Sequence, residues 1–125
     1  MAQGRMKIIV YNSKDQYALS RKQIEKIGEI LPKEYFAPIQ EFHITHSLRG
    51  AERFEYLLEK KQVHFFFPVV QKTPEVRNEA VTELLLGLNR IKSKTNWGYP
   101  LPKLEREQHL PFIEKWCEKC LSAIS

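Results

Sequence analysis

The sequence predicts an α+β (or α/β) domain in which a small mixed sheet of about three strands packs against three to four helices. Three observations carry that expectation. Lys7–Tyr11 (KIIVY) and Val63–Val70 (VHFFFPVV) are short, dense runs of β-branched and aromatic residues, the composition of buried strands. The segment PIQEFHITHSL alternates, with Phe42, Ile44, His46 and Leu48 on one face and Glu41, His43 and Thr45 on the other, as a strand with one buried side does. Around these runs lie segments of helical period.

Taken in order, Met1 to Arg5 read as a loose leader before the first strand. In LSRKQIEKIGEIL, Ser20 and Gln23 form a capping box and Leu19 with Ile24 a hydrophobic staple; Ile24, Ile27 and Leu31 continue the apolar stripe, and Pro32 ends the helix. Gly50 breaks the second strand. AERFEYLLEKK offers Phe54, Leu57 and Leu58 at helical spacing, which predicts a short helix. In VHFFFPVV, Pro68 lacks a donor, so that strand lies at an edge or ends there. TPEVRNEAVTELLLGLNRI predicts a long helix. Thr73 caps it, Pro74 takes its first position and Glu75 suits its positive end; Val76, Ala80, Leu84, Leu88 and Ile91, widened by Val81 and Leu85, face inward. KTNWGYPLP is a turn-rich loop carrying Trp97 and Tyr99. A last helix runs from about Leu104 to Ala123, with Leu110, Ile113, Cys117 and Leu121 at packing spacing. No repeat, low-complexity stretch or linker interrupts the chain, so residues 1–125 read as one domain.

Composition narrows the function classes. The 125 residues suit a single core, and 42% apolar with 28% charged is ordinary for a soluble globular chain. Nothing approaches the ~18 to 20 apolar residues of a membrane span, so no membrane partner is expected. The apolar run after Arg5 is too short for a secretory signal, and two cysteines three residues apart make no disulfide framework; both point to a cytoplasmic protein. The net charge of +5 comes from scattered lysines and arginines, which serves solubility and permits contact with nucleic acid without requiring it.

Each motif has to be weighed as chemistry. His43, His46, His64, His109, Cys117 and Cys120 are the zinc-ligand types present. On a strand, however, residues 43 and 46 point to opposite faces, and cysteines on a helix are common small core residues. The Cys-x-x-Cys lies near the C-terminal end of the last helix, where the dipole raises a thiol pKa instead of lowering it. The five glycines are isolated and build no phosphate cradle. HITHS contains the His-x-Thr of some phosphoesterases, which need two such motifs; His64-Phe-Phe-Phe lacks the hydroxyl. No Gly-x-Ser-x-Gly occurs. No metal or cofactor is expected.

LPKEYFAPIQEFHIT followed by VHFFFPVVQKTPEVRNEAVTELLLGL resembles the layout of minimal zincin-like metallopeptidase domains over roughly residues 7 to 95. There a helix leads into a strand, and a second strand precedes an active-site helix with His-Glu-x-x-His. In the corresponding register this chain has Thr82-Glu83-Leu84-Leu85-Leu86; the alternative register is Asn78-Glu79-Ala80-Val81-Thr82. Either keeps a glutamate and loses both histidines. Two imidazoles one turn apart hold the metal whose water the glutamate activates, so the resemblance implies a non-catalytic relative.

The first functional expectation is therefore a non-catalytic domain that binds protein or peptide. Strand addition at VHFFFPVV would supply backbone pairing, Trp97 and Tyr99 aromatic anchors, and Asn78, Thr82, Glu83 and His43 a groove. A second is a nucleic-acid-binding module using Arg77, Arg90, Lys92 and Lys94, with Trp97 and Tyr99 stacking on bases. A third is an enzyme whose site gathers residues distant in sequence, with Glu41, His43 and Glu83 as candidates.

Overall fold

Side-chain alternation organises the sheet. The fold is that of a computed structural model, which describes residues 6–11, 19–47, 53–57, 59–68, 74–93 and 107–124. Four strands, β1 (Lys7–Val10), β2 (Glu41–Ser47), β3 (Arg53–Leu57) and β4 (Gln62–Pro68), form one mixed sheet in the order β1-β2-β4-β3. The first three in that order run parallel; β3 is antiparallel to β4. Even-odd parity then sorts the residues. Ile8, Phe42, Ile44, Phe54, Tyr56, Val63, Phe65 and Phe67 are buried on one face. The rings of Phe42, Phe54 and Phe65 meet there with centroids 5.5 to 6.2 Å apart. Glu41, His43, Gln62, His64 and Glu55 fall on the other face.

The helices cover the apolar face. In α1 (Arg21–Ile30) the Ser20–Gln23 capping box forms as the sequence predicts, with Gln23 N–H donating to Ser20 Oγ at 3.2 Å and Ser20 N–H to Gln23 Oε1 at 2.9 Å. Ile24 and Ile27 enter the core, and a 3-10 turn at Lys33–Tyr35 carries the chain to β2. The long helix α2 (Pro74–Ser93) contacts β3, and α3 (Leu110–Ile124) packs against both α1 and α2. Neighbours on two sides bury more of α2 than one stripe: Leu84, Leu85, Leu86 and Leu88 are all fully buried, each worth about 1.5–3 kcal/mol of transfer free energy.

Three sequence expectations are corrected. AERFEYLLEKK is not a helix: Arg53–Leu57 is the fourth strand, with Phe54 and Tyr56 buried, Leu57 41% exposed and Lys61 closing the hairpin at φ 53. Aromatics at period two gain more by joining Phe42 and Phe65 than this short segment gains from helical spacing. VHFFFPVV is not an edge strand, because β4 lies between β2 and β3; Pro68 instead ends it. In α3, Leu110 is 45% exposed and the inward row is Ile113, Cys120 and Ile124, with Cys117 and Leu121 half-buried.

Gly87 sits where α2 meets β3. A Cβ there would overlap the Phe54 ring. Gly87→Ala should therefore destabilise by about 1–3 kcal/mol through overpacking, although alanine is the better helix former by about 1 kcal/mol. A higher urea midpoint for this variant would show that the helix does not approach β3 so closely. Leu84→Ala, which empties the centre of α2, should cost about 2–5 kcal/mol. Asn78→Ala, on the exposed side, should stay within about 0.5 kcal/mol. Equal midpoints for these two would mean that the helix presents its other face to the core.

Candidate functional site

The polar face of the sheet carries a connected hydrogen-bond circuit. The β2–β4 register sets His43 directly beside His64, and the β1–β2 register brings Tyr11, just past the end of β1, alongside β2. Tyr11 Oη lies 2.9 Å from His43 Nδ1, and His43 Nε2 lies 3.0 Å from Glu41 Oε1. Gln62 Nε2 donates to the same Glu41 Oε1 at 3.0 Å, and Gln62 Oε1 is 3.2 Å from His64 Nε2. An ionised carboxylate only accepts, so His43 bears its proton on Nε2 and its neutral Nδ1 accepts from the Tyr11 hydroxyl. The amide oxygen of Gln62 only accepts, so His64 likewise carries its proton on Nε2. The proton donors thus run from both ends of the circuit toward Glu41.

Stacked rings reinforce these bonds. His43 and His64 are parallel to within 4°, with centroids 4.4 Å apart. Tyr11 stacks on His43 at 5.7 Å and Phe66 on His64 at 6.4 Å. His43 is only 7% exposed, whereas Tyr11 is 44% exposed. Both partners of the buried imidazole, Tyr11 and Glu41, are partly open to solvent. A carboxylate orienting a histidine, which in turn hydrogen-bonds a hydroxyl, can move a proton to or from that hydroxyl.

Burial pushes the His64 pKa below its ordinary value; the nearby His43 and Lys60 push it the same way, while Glu55 and Glu41 oppose them. No group of three or more His, Cys, Asp or Glu residues among the described ones is arranged to hold a metal ion.

Of the residues singled out from sequence, the fold brings Glu41 and His43 together. It separates His43 from Glu83, because α2 packs on the sheet's other face. Thr82 is half-buried, donates to Asn78 O at 2.9 Å, and lies 4.0 Å from Cys117 Sγ on α3. Leu86 is fully buried. Thr82 and Leu86 therefore serve helix packing. Asn78 is exposed and Glu83 half-buried. Arg90 is a correction: it is 1% exposed and cannot reach a phosphate backbone. Arg77 is half-buried, and its buried Nε makes no hydrogen bond among the described residues. Lys92 belongs to the last turn of α2, its side chain lying outside the described residues, as do Lys94, Trp97 and Tyr99. Sequence reasoning missed Tyr11 and Gln62, and weighed His64 only as a zinc-ligand type and as half of a second His-x-Thr. The available signal was a shared pattern, Glu41-Phe42-His43-Ile44 and Gln62-Val63-His64-Phe65, which puts like groups side by side once the two strands pair in parallel.

Comparison of the chain with protein-family models, with curated proteins and with solved structures finds no match. Among the described residues no helix is long and apolar enough to cross a membrane.

The lowered His64 pKa has a signed consequence. Below the ordinary value of 6.5 the unfolded chain binds the proton more readily than the folded one, so this residue's contribution to stability falls as pH falls from about 6.5 toward the depressed value. His64→Gln should lose less stability than wild type between pH 7.5 and 5.5, read as urea midpoints. Parallel losses would show that His64 is not the group responsible.

Proposed function

We propose that this chain is an enzyme that uses general acid–base catalysis at the outer face of its sheet. The observation that supports the reading best is the chain of hydrogen bonds from the hydroxyl of the exposed Tyr11 residue through His43 to Glu41. Tyr11 is the group that touches substrate. It gives its proton to an oxygen or nitrogen of the substrate that gains negative charge, or withdraws one through His43. Glu41 holds the His43 tautomer and stabilises the imidazolium that forms, as carboxylates do behind catalytic histidines. Positioned proton transfer of this kind contributes about 10²–10⁴-fold in rate.

The zincin-like layout belongs to the same set of proposals; it implies a non-catalytic relative because Thr82 and Leu86 stand where the histidines of α2 would be. A site on the opposite sheet face is compatible with it. A cytoplasmic setting is also proposed, supported by the free thiols of Cys117 and Cys120. One observation favours a second reading, peptide binding: β3 is an edge strand and carries the exposed Leu57, so strand addition belongs there and not at β4.

The test is a panel of chromogenic carboxylic esters, phosphomonoesters, phosphodiesters and peptides. It is run with wild type, Tyr11→Phe, His43→Gln and Glu41→Gln, with Asn78→Ala as control. Turnover of one class is expected, falling about 100-fold or more in His43→Gln and unchanged in Asn78→Ala. Absence of turnover in every class, or turnover indifferent to all three site variants, rejects the catalytic reading. A selected peptide whose binding is lost on Leu57→Asp would then support the second.

A further inference from the structure

The relay needs one imidazole, yet the sheet places two face to face. We infer that His43 and His64 act as a one-charge pair, in which His64 stays neutral and confines the positive charge to His43, between Tyr11 and Glu41. His64 is then a positioning residue for the relay. This inference rests on the acid–base reading of Tyr11, His43 and Glu41.

The geometry supplies the coupling. The two rings are parallel to 4° at 4.4 Å; the β2–β4 register sets the two residues opposite each other, and the bonds to Glu41 and Gln62 orient the rings. Two imidazolium ions stacked this closely repel strongly, so the second proton is resisted once the first is bound. The neighbours decide which ring takes the first. From β2, Glu41 accepts from His43 Nε2 at 3.0 Å; from the end of β1, Tyr11 faces Nδ1 at 2.9 Å, and Lys7 stands opposite Glu41 in register. Both His43 nitrogens therefore have a partner that tolerates the cation. Among the described residues, His64 Nε2 meets the neutral Gln62 amide of its own strand. Across from it on β3 is Glu55, which favours its charge, and in the hairpin is Lys60, which disfavours it. Partial burial and His43 itself outweigh the carboxylates.

Such a pair suits a relay. The proton drawn from Tyr11 remains on the ring that touches Tyr11, because the stacked neighbour does not accept it. Coupled groups of this kind titrate in two separated steps instead of one.

The test follows the ring nitrogens of ¹⁵N-histidine-labelled protein by NMR from pH 8 to pH 4, and needs no substrate. In wild type, the pair is expected to take up its protons in two separate steps, with His64 charging only in the later one as the pH falls. In His43→Phe, which keeps an aromatic ring and the burial, the His64 midpoint should rise by about half a unit or more. His43→Gln serves as a second variant, and dispersed amide spectra identify whichever of the two is folded. A common midpoint for both rings in wild type, or a His64 midpoint that does not move in the folded variant, overturns the one-charge pair. Failure to find turnover on the substrate panel, with two separated steps still present, would reject the catalytic reading and leave the coupling intact.

Discussion

The pairing of β2 with β4 is the constraint on which the rest of the molecule depends. Seven residues of each strand align in parallel, from Glu41 opposite Gln62 to Ser47 opposite Pro68. Because side chains alternate with period two, this one register decides both faces together. It sets Phe42 beside Val63 and Ile44 beside Phe65 on the core side, and Glu41 beside Gln62 and His43 beside His64 on the other. Slipping one strand by a single residue would turn that strand's histidine toward the helices and its phenylalanines onto the polar face. The apolar core thus holds the polar circuit in register, although no residue of the circuit belongs to that core.

The helical layer enforces the same register from behind. Gly87 lets α2 approach Phe54 so closely that no side chain fits between them, and Phe54 packs edge-on against Phe42 and Phe65. Side-chain hydrogen bonds join the helices to one another: Asn89 Nδ2 meets His109 Nδ1 at 2.7 Å, and Gln23 Nε2 donates to Ile124 O at 3.4 Å. With the hydroxyl of Thr82 turned toward Cys117 and Leu86 fully buried, α2 is a packing element along most of its length. Polar residues on its surface, Asn78 among them, are then its solvated side.

Much of this was legible in the sequence, and what escaped has physical reasons. The capping box at Ser20, the alternation over residues 41–44 and the inward row of α2 are local signals set by backbone geometry, and the fold keeps all three; the side chain of His46 lies outside the described residues. The segment ERFEYLL satisfies both periods over so few residues that only its partner strand decides between them. Arg90 reads as a surface cation from its charge alone; its burial depends on which side of α2 the neighbouring helices cover. The circuit was half visible, as Glu41 and His43 within one strand. Tyr11 and His64 joined it only through pairings across 32 and 21 residues of sequence, and no local pattern encodes that distance.

Glu41 shows how little freedom the circuit has. Its Oε1 accepts two hydrogen bonds at once, from His43 Nε2 and from Gln62 Nε2. The first bond fixes the His43 tautomer and the second fixes the Gln62 amide, whose oxygen then fixes the tautomer of His64. One carboxylate atom therefore orients His43 and Gln62 directly and His64 through Gln62. Two imidazoles held in defined tautomers, with the phenol as the exposed end, amount to preorganisation: the groups need not reorganise when a proton moves. A sheet face evolved only to be wetted gains nothing from ordering four polar side chains, whose fixing costs conformational entropy. The connected order of this face, more than any single residue on it, is what distinguishes it from an ordinary solvated surface.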